Sequence, residues 1–373
     1  MKTILILTAG FGEGHNSAAR NLRDALLHES AGGVKVEVLD LYATTYGRVN
    51  DLARRLYLGA INRTPRLWRL VYRWLDRPGR FERLLFLQRR AQQTLARTLT
   101  ELRPAAVCCT YPGYNYLLAR LAMAGLAGRF FHATMVTDSI SINSIWHRAA
   151  GDVFMVPDEA TAAVMARQGV PRDKLRVCGF PVPLVFALPA RRLTAGAPAD
   201  GNRKVLYIVN AGRAVAPALV RRLLAVDGIT LTVTAGRDAA LGARLRRLTA
   251  GQEARVSVLG WTDRMPQLLM THHLVITKAG GATTQEAIAA GCPVIFNQLI
   301  PGQEEGNWEL LRRAGAGCLE VDYRRIPGVV REIFAHDAGR WRELRANLAR
   351  LSRPDAALRA ARYLLSAVDA REI

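Results

Sequence analysis

Short apolar runs alternate with longer stretches of helical periodicity along almost the whole chain of 373 residues. The runs are continuously apolar, as expected for strands that are covered on both faces of a parallel sheet. Two series of such units occur, and the Ala/Gly/Pro-rich stretch 188–204 separates them. The pattern predicts an α/β protein with two doubly wound, Rossmann-like domains that face a cleft.

The strands and the domain boundaries follow from this alternation. The apolar runs are 3–8, 34–41, 105–110, 130–137 and 153–156 in the first series, and 205–209, 229–234, 256–259, 274–277 and 294–297 in the second. We expect an N-terminal domain at 1–187, a linker at 188–204, a C-terminal domain at 205–350, and a terminal helix at 351–373 that can pack back on the N-terminal domain. Ligands of such folds bind at the carboxyl ends of the strands, so the loops there are the candidate sites.

The loop after the first strand, "TAGFGEGHN", has glycines at alternate positions, and the following helix is predicted to begin at His15. The free N–H groups of a helix N-terminus favour an anion or a polarised oxygen. The dinucleotide fingerprint G-x-G-x-x-G would need its third glycine where His15 stands, which argues against a nicotinamide or flavin cofactor. His15 is either a base for a bound ligand, since its ordinary pKa lies near neutrality, or a capping or packing histidine.

A second glycine-rich turn, "TKAGGATTQEA", follows a strand of the second series. Gly280 and Gly281 permit close backbone approach, and Thr283 is predicted to begin a helix, which makes a phosphate site. We expect Glu286 in the first turn of that helix, where its carboxylate can bind the hydroxyls of a ribose. The next strand leads into "PGQEEGN", whose polar side chains can bind sugar hydroxyls. Together the two turns predict a nucleotide-sugar site, and helix-capping acids in ordinary loops are the alternative.

Seven motifs of the chain resemble those of a known family. They are "GFGEGH", "YPGYN", "VTDSISINSIWH" and "GFPV" in the first half, and "GWTDRMPQLL", "TKAGGATTQEA" and "PGQEEGN" in the second. They are similar to motifs of the monogalactosyldiacylglycerol synthase and processive diacylglycerol glucosyltransferase group. They are more distantly similar to those of the bacterial transferase that adds N-acetylglucosamine to the peptidoglycan lipid precursor. The resemblance implies a GT-B fold, a UDP-sugar in the C-terminal domain, a lipid acceptor in the N-terminal domain, and inverting transfer without a bound metal.

The resemblance also implies which residues bind the donor. These are Gly212, Gly280, Gly281, Ala282 and Thr283 for the diphosphate, Glu286 for the ribose, and Gln303 and Glu304 for the hexose. Trp261 stands where the family has a residue near the uracil, and a buried core tryptophan is the alternative for this position.

On the acceptor side, the resemblance makes His15 the general base or the residue that orients the acceptor hydroxyl, and Asp138 the other candidate base. Two departures from the family occur. The loop reads Gly12, Glu13, Gly14 where the family commonly has three glycines. The family commonly has a histidine shortly after the "TD" pair, where this chain has Asn143, and an amide cannot act as a base.

The segment 48–97 carries much of the positive charge of the first half. The whole chain has 52 Lys and Arg against 31 Asp and Glu, and this segment has 13 Arg against 3 acids. Its interleaved arginines and aromatics include Arg66, Trp68, Arg69, Arg73 and Trp74. Such a mixture suits the interface of an anionic bilayer. A solvated pair of arginine-rich helices is the alternative, and nucleic acid is not expected because no motif for it accompanies the segment.

The remaining composition narrows the class of protein. The five cysteines form no C-x-x-C pair and fit reduced thiols, no metal-ligand spacing occurs, and no stretch reaches the roughly 18 apolar residues of a membrane span. We therefore expect a cytoplasmic enzyme bound peripherally to the inner face of the membrane, without a cofactor. It would transfer a hexose from UDP-glucose or UDP-galactose, with UDP-N-acetylglucosamine still open, to a lipid hydroxyl, foremost that of diacylglycerol. The alternatives are a lipid-linked muropeptide or glycolipid acceptor, or a membrane protein that senses nucleotide sugars without transfer.

Overall fold

The computed structural model describes residues 1–63, 70–71, 74–125, 129–188, 193–198, 202–210, 214–302 and 304–370, with only the backbone described at 58 and 60–63. The chain divides into two compact units. The first unit comprises Met1–Leu184, Pro301–Gly306 and Asp355–Ile373, and the second comprises Val185–Ile300 and Asn307–Pro354.

The first unit contains a six-stranded sheet in which every neighbouring pair is parallel. Its strands are β1 (Lys2–Thr8), β2 (Val34–Asp40), β3 (Ala106–Cys109), β4 (Phe131–Met135), β5 (Val153–Val156) and β6 (Leu175–Val177), in the order β2-β1-β3-β4-β5-β6. The side chains of the central strands are buried, as their continuous apolar sequence predicts.

Helices connect these strands and cover the sheet. They are α1 (Glu13–Glu29), α2 (Leu41–Tyr46), α3 (Arg48–Arg63), α4 (Arg80–Leu84), α5 (Arg89–Leu102), α6 (Gly113–Met123) and α7 (Glu159–Arg167). The C-terminal helix α14 (Ala356–Asp369) belongs to this unit and packs on α1. Arg362 of α14 forms a two-pronged ion pair with Glu29 at 2.7 and 2.9 Å, which fixes the helix beside the end of α1.

The second unit has its own parallel sheet of six strands. They are β7 (Arg203–Ile208), β8 (Ile229–Thr234), β9 (Val256–Leu259), β10 (Leu274–Lys278), β11 (Val294–Gln298) and β12 (Gly317–Leu319), in the order β12-β11-β10-β7-β8-β9. The prediction of two doubly wound α/β sheets is confirmed. The strands β6 and β12 were not predicted, because their three residues each are too few for a recognisable apolar run.

The helices of the second unit are α8 (Ala216–Leu224), α9 (Ala239–Leu248), α10 (Met265–Thr271), α11 (Gly281–Ala290), α12 (Glu305–Ala314) and α13 (Ile326–Leu351). The helix α13 is interrupted after Phe334, since His336, Asp337 and Ala338 all have positive φ. Part of the predicted linker packs on this unit: the amide of Ala195 donates to the Met270 carbonyl, and Arg345 donates to the Ala195 carbonyl.

Candidate active site

The glycine-rich loop between β1 and α1 leads into the N-terminus of α1, which begins at Glu13 and not at the predicted His15. Gly12 caps this helix with an extended backbone (φ −173°) and without a side-chain hydrogen bond. A Cβ on Gly12 or Gly14 would meet no atom within 4 Å of the described chain. Packing among the described residues therefore does not require either glycine, and a helix N-terminus of this kind suits an anion or a polarised oxygen.

Gly10 in the same loop differs, because it is packed. Its amide donates to Oδ2 of Asp40 at 2.9 Å, and a Cβ on Gly10 would lie 3.1 Å from that oxygen. The other oxygen of Asp40 accepts from the Ala43 amide and caps α2. Asp40 thus shapes the loop and caps α2, which accounts for an acid at the end of β2.

His15 lies in the first part of α1 among aromatic rings. Its Nδ1 hydrogen-bonds with Oγ1 of Thr137 at 3.0 Å. Its ring lies edge-on to Tyr111 at 5.4 Å and tilted to Trp146 at 6.0 Å between ring centroids. Burial lowers the pKa of His15 to about 4, and a hydrogen bond with the Thr110 backbone opposes this in part. The imidazole is therefore neutral near pH 7, as a general base must be.

Asp138 follows Thr137 directly, and Oδ2 of its carboxylate accepts a hydrogen bond of 2.8 Å from the indole Nε1 of Trp146. Burial raises the pKa of Asp138 to about 6, while the Trp146 hydrogen bond lowers it. The two candidate bases predicted from the sequence thus meet the same side chain, Trp146. We name His15, Thr137, Asp138 and Trp146 the base cluster.

Asn143 holds the backbone that carries Trp146. Its Oδ1 accepts from the Ile145 amide at 3.0 Å and caps a single 3-10 turn, Ser144–Trp146. Asn143 is buried, and it stands where the family commonly has a histidine. The hydrogen bond from the Ile145 amide shows that its side chain holds the backbone of this turn. Trp146 was not among the predicted site residues. The only sequence signal for it was its place in "VTDSISINSIWH".

The turn between β10 and α11 forms a second helix N-terminus. The helix begins at Gly281, two residues before the predicted Thr283, and Gly280 caps it without a side-chain hydrogen bond. Thr284 is buried and its Oγ1 donates to the Gly280 carbonyl at 2.8 Å, which closes the turn. Glu286 consequently lies in the second turn of α11 and not in the first, because the helix starts earlier than predicted.

Asn307 joins the two predicted donor motifs. Its Nδ2 donates to the Ala279 carbonyl at 2.9 Å, and the Ala279 amide donates to the Gln298 carbonyl at 3.0 Å. The start of α12 is therefore fastened to the turn that precedes α11. On the other side of β10, Asn210 donates to Oγ1 of Thr277 at 2.8 Å. Asn307 is buried, and the sequence gave it no separate role.

The residues of "PGQEEGN" lie partly in the first unit. Glu304 is buried, and Gln303 lies outside the described residues, as does Gly212. Gly306 contacts the Ser139 carbonyl, and a Cβ there would come within 2.7 Å of the Ser141 amide nitrogen. Packing against the turn after Asp138 therefore requires the glycine of this motif.

Trp261 follows β9 and is 62% exposed, so the alternative of a core tryptophan is wrong. The guanidinium of Arg237, which follows β8, lies 5.4 Å from the centroid of its ring. Both residues come after the carboxyl ends of neighbouring strands, at the edge of the sheet where β10 leads into α11. An exposed aromatic face at this edge is available to stack on a planar base.

The described part of the basic segment exposes large apolar side chains. Val49, Leu52 and Leu56 are 68, 59 and 66% exposed, at the spacing of one face of α3. Trp74 is 38% exposed, and the guanidinium of Arg80 lies 5.4 Å from its ring centroid. The predicted membrane residues Arg66, Trp68, Arg69 and Arg73 lie outside the described residues.

The described residues were also searched for membrane-spanning helices, groups of metal ligands and disulfides. None of the described helices is both long and apolar enough to cross a bilayer. Within the same residues, no group of three or more His, Cys, Asp or Glu side chains could hold a metal ion. All five cysteines have free thiols, and four of them are buried.

Comparisons with known proteins match the first half of the chain with a family model and nearly the whole chain with single proteins. The family model described as "Monogalactosyldiacylglycerol (MGDG) synthase" matches residues 15–182. The chain is 25% identical over 341 residues to the processive diacylglycerol beta-glucosyltransferase of Bacillus subtilis, which covers 90% of this chain and 88% of that protein. It is 25% identical over 378 residues to monogalactosyldiacylglycerol synthase 3, chloroplastic, of Arabidopsis thaliana, which covers 95% of this chain and 79% of that protein.

The fold has its own counterpart among solved structures. The crystal structure of Acinetobacter baumannii MurG matches with a TM-score of 0.61 at 14% identity, and the match covers 98% of this chain and 100% of that chain. The predicted resemblance is confirmed: the chain has the GT-B fold, and its sequence is similar to those of monogalactosyldiacylglycerol synthases and processive diacylglycerol glucosyltransferases.

Proposed function

We propose that this protein transfers a hexose from a UDP-sugar to the hydroxyl of diacylglycerol. It would be a UDP-sugar-dependent hexosyltransferase, and its similarity to a diacylglycerol glucosyltransferase and a monogalactosyldiacylglycerol synthase supports this. The observation that carries the proposal is the Asn307–Ala279 hydrogen bond, because it fastens the start of α12 to the turn that opens α11. A helix N-terminus without a side-chain cap suits a diphosphate, and the acid of the same helix and the second polar turn can bind sugar hydroxyls.

The diphosphate and the nucleoside of the donor would be held by the second unit. The amides at the start of α11, from Gly281 through Thr283, would bind the diphosphate, with Gly280 and Gly212 allowing close approach. Glu286 would bind the ribose hydroxyls from the second turn, Gln303 and Glu304 would bind the hexose, and Trp261 would stack on the uracil. The positive end of α11 would stabilise the charge that develops on the departing UDP.

The base cluster would activate the acceptor. Asp138 or His15 would take the proton from the acceptor hydroxyl. The oxygen of that hydroxyl would attack the anomeric carbon of the hexose at the same time. The bond from that carbon to the diphosphate oxygen breaks at the same time, and UDP leaves with the electron pair. A single displacement of this kind inverts the configuration and needs no metal ion.

A lipid acceptor lies in the bilayer, so the enzyme would act at the membrane surface. The apolar face of α3 and the arginines of the segment 48–97 support peripheral binding to an anionic bilayer, since apolar insertion and charge attraction add. Peripheral binding would bring the enzyme to an acceptor that stays in the bilayer.

The test is transfer by the purified chain to mixed lipid vesicles. Radiolabelled UDP-glucose, UDP-galactose and UDP-N-acetylglucosamine are supplied separately, and the vesicles contain diacylglycerol, a glycolipid or a lipid-linked muropeptide. We expect label in the lipid phase with diacylglycerol and with one of the two hexose donors. Label in another acceptor alone would replace diacylglycerol, and no lipid-soluble product with any donor would refute the transferase.

Two variants distinguish transfer from sensing. Glu286→Ala should abolish UDP-sugar binding under either reading. His15→Ala combined with Asp138→Asn should leave UDP binding unchanged and abolish transfer. A wild-type protein that binds the UDP-sugar tightly and never transfers it would be a sensor.

A further inference from the structure

Asp76 is one of three acids in the segment 48–97, among 13 arginines. A carboxylate in a segment that is proposed to bind an anionic bilayer weakens the attraction of the arginines to the lipid. Membrane binding therefore gives no reason for an acid at this position. The hydrogen bonds of Asp76 go instead to the loop that follows Asp138, at Ser144.

The carboxylate of Asp76 holds Ser144, the first residue of the 3-10 turn Ser144–Trp146. Oδ1 of Asp76 accepts from the Ser144 amide at 2.8 Å and lies 2.7 Å from the Ser144 hydroxyl. The same hydroxyl is 2.9 Å from the Asp76 carbonyl oxygen, which also accepts from Nη2 of Arg148. The side chain and the main chain of Asp76 thus bind residues on both sides of Trp146.

Ser144 is also the residue to which the rest of this turn is bonded. Its carbonyl accepts from the amides of His147 and Arg148, each at 3.1 Å. The backbone that follows Trp146 is therefore tied to Ser144, while the amide and the hydroxyl of Ser144 are held by Asp76. The position of Trp146 depends on Ser144, and that of Ser144 depends on Asp76.

Two other side chains support the same turn in other ways. Asn143 caps it from within, since its Oδ1 accepts from the Ile145 amide at 3.0 Å. Asn115 approaches from the buried side, where its Nδ2 is 3.5 Å from the Trp146 carbonyl oxygen, a long distance for a hydrogen bond. Asp76 differs from both because it is 68 positions away from Ser144 and still makes contacts of 2.7 and 2.8 Å.

The turn matters because it carries the indole that donates to Oδ2 of Asp138 at 2.8 Å. The strength of such a bond falls steeply with distance and angle, so a displaced turn would weaken it. We propose that Asp76 is a positioning residue of the base cluster, which holds Ser144 so that the Trp146 indole stays on the Asp138 carboxylate. The inference rests on the proposed function, because the base cluster has its task in transfer.

The test observes the Trp146 indole directly, in the full chain labelled with ¹⁵N-tryptophan. Each of the six tryptophans gives one indole N–H signal, and Trp146→Phe identifies the signal of Trp146. Trp146 is buried, so its indole hydrogen exchanges with solvent through local opening. In Asp76→Ala this exchange should become about fivefold faster, because the turn loses the acceptor of one amide and one hydroxyl.

The vesicle assay of Asp76→Ala gives the second measurement. We expect kcat to fall about fivefold and KM for the UDP-sugar to stay unchanged, since the residues proposed to bind the diphosphate and the nucleoside lie in the second unit. Asp76 is exposed, so its replacement leaves the core intact, and a thermal melt of each variant shows that it folds.

Three further variants define the controls. Asp76→Asn keeps an oxygen that accepts from Ser144 and removes the charge, and it should retain the exchange rate and the kcat of the wild type. Ser144→Ala removes the hydroxyl alone and should speed exchange by a smaller factor than Asp76→Ala. Asp51→Ala removes another exposed acid of the segment 48–97, in the first turn of α3, and should leave the Trp146 signal unchanged.

Wild-type exchange at Trp146 in Asp76→Ala would overturn the proposal. Exchange in Asp76→Asn as fast as in Asp76→Ala would assign the effect to the charge and also overturn it. Faster exchange with an unchanged kcat would confine Asp76 to a structural role, against the proposal. A wild type that transfers nothing would refute the proposed function alone, because the exchange rates are measured without transfer.

Discussion

The indole Nε1 of Trp146 donates a 2.8 Å hydrogen bond to Oδ2 of Asp138, and the same ring lies 6.0 Å from the imidazole of His15. The tryptophan therefore contacts both candidate bases, and it stabilises the ionised form of Asp138 against the effect of burial. Trp146 is carried by a single 3-10 turn capped by Asn143, so this short turn positions the hydrogen bond that opposes the effect of burial on Asp138.

The first prediction is that Trp146→Phe moves the acid limb of the pH–rate profile upward. With Asp138 as base, kcat/KM in the wild type should fall below about pH 6, where the carboxylate is protonated. Loss of a hydrogen bond to a charged group, on the order of 1.5 kcal/mol, raises that limb by about one unit. The measurement is kcat/KM from about pH 3 to about pH 9, which spans the pKa values of both candidate bases. A limb near pH 4 in both proteins would instead assign the base to His15.

A second prediction concerns Asp138→Asn, which should stabilise the protein while it abolishes transfer. The pKa of Asp138 is raised from 3.8 to about 6, so its favourable contribution to folding is complete below pH 3.8 and is lost as the pH rises through 6. At pH 8 the amide should increase the free energy of unfolding by on the order of 2 kcal/mol, because no buried charge remains.

Urea unfolding of both proteins at pH 4 and pH 8 measures this effect. The stability gain should be present at pH 8 and small at pH 4. As a control for the chain's other acids, Asp24→Asn changes an exposed carboxylate and should show no such pH dependence. An equal gain at both pH values would mean that removal of the charge is not its cause.

The architecture could be predicted because it depends on local composition. Continuously apolar runs such as Leu274–Lys278 form buried parallel strands whatever their partners are. Helix starts were less accurate, since α1 and α11 both include residues that a sequence pattern assigns to a glycine loop. Glycine has no side chain that would show whether it continues a turn or enters a helix.

The site was predicted only in part, for a different reason. His15, Asp138 and the motif around Gly280 follow strand ends, where the fold class directs attention. Trp146 and Asn307 act through hydrogen bonds to residues that are 8 and 28 positions away, and no local pattern shows which partner a side chain will have. Trp261 illustrates the same point, because exposure decides between a core and a stacking role.

Asn307→Ala, the third prediction, should weaken UDP binding by about tenfold and lower the free energy of unfolding by about 1–2 kcal/mol. It removes the bond that joins the two donor turns and leaves the Ala279 carbonyl unpaired. Asn347→Ala is the matched control, since its Nδ2 also donates to a carbonyl at 2.9 Å, that of Gly315, at an exposed position. Calorimetric titration with UDP and a thermal melt test both. Equal UDP affinity of the two variants would contradict a role for Asn307 in the donor site.

The fourth prediction is that Leu52→Ser combined with Leu56→Ser reduces binding to anionic vesicles by about tenfold, because it removes apolar area from the exposed face of α3. Val321→Ser is the control, since Val321 is 65% exposed in the second unit, outside the segment 48–97. Flotation with vesicles of increasing anionic lipid content measures both. If the leucine variant floats as well as wild type, this face does not contact the bilayer.

The fifth prediction separates two glycines of one loop. Gly10→Ala should lower the free energy of unfolding by about 1–3 kcal/mol, because its Cβ would lie 3.1 Å from the Asp40 carboxylate in a packed turn. Gly12→Ala should leave stability within about 0.5 kcal/mol of wild type, since its Cβ meets no described atom and its backbone is extended.

If a reactant binds at the N-terminus of α1, Gly12→Ala should still lower kcat/KM for transfer. Urea unfolding and the vesicle assay, run on both variants, measure the two effects independently. Full activity in Gly12→Ala would show that no reactant comes close to this helix N-terminus.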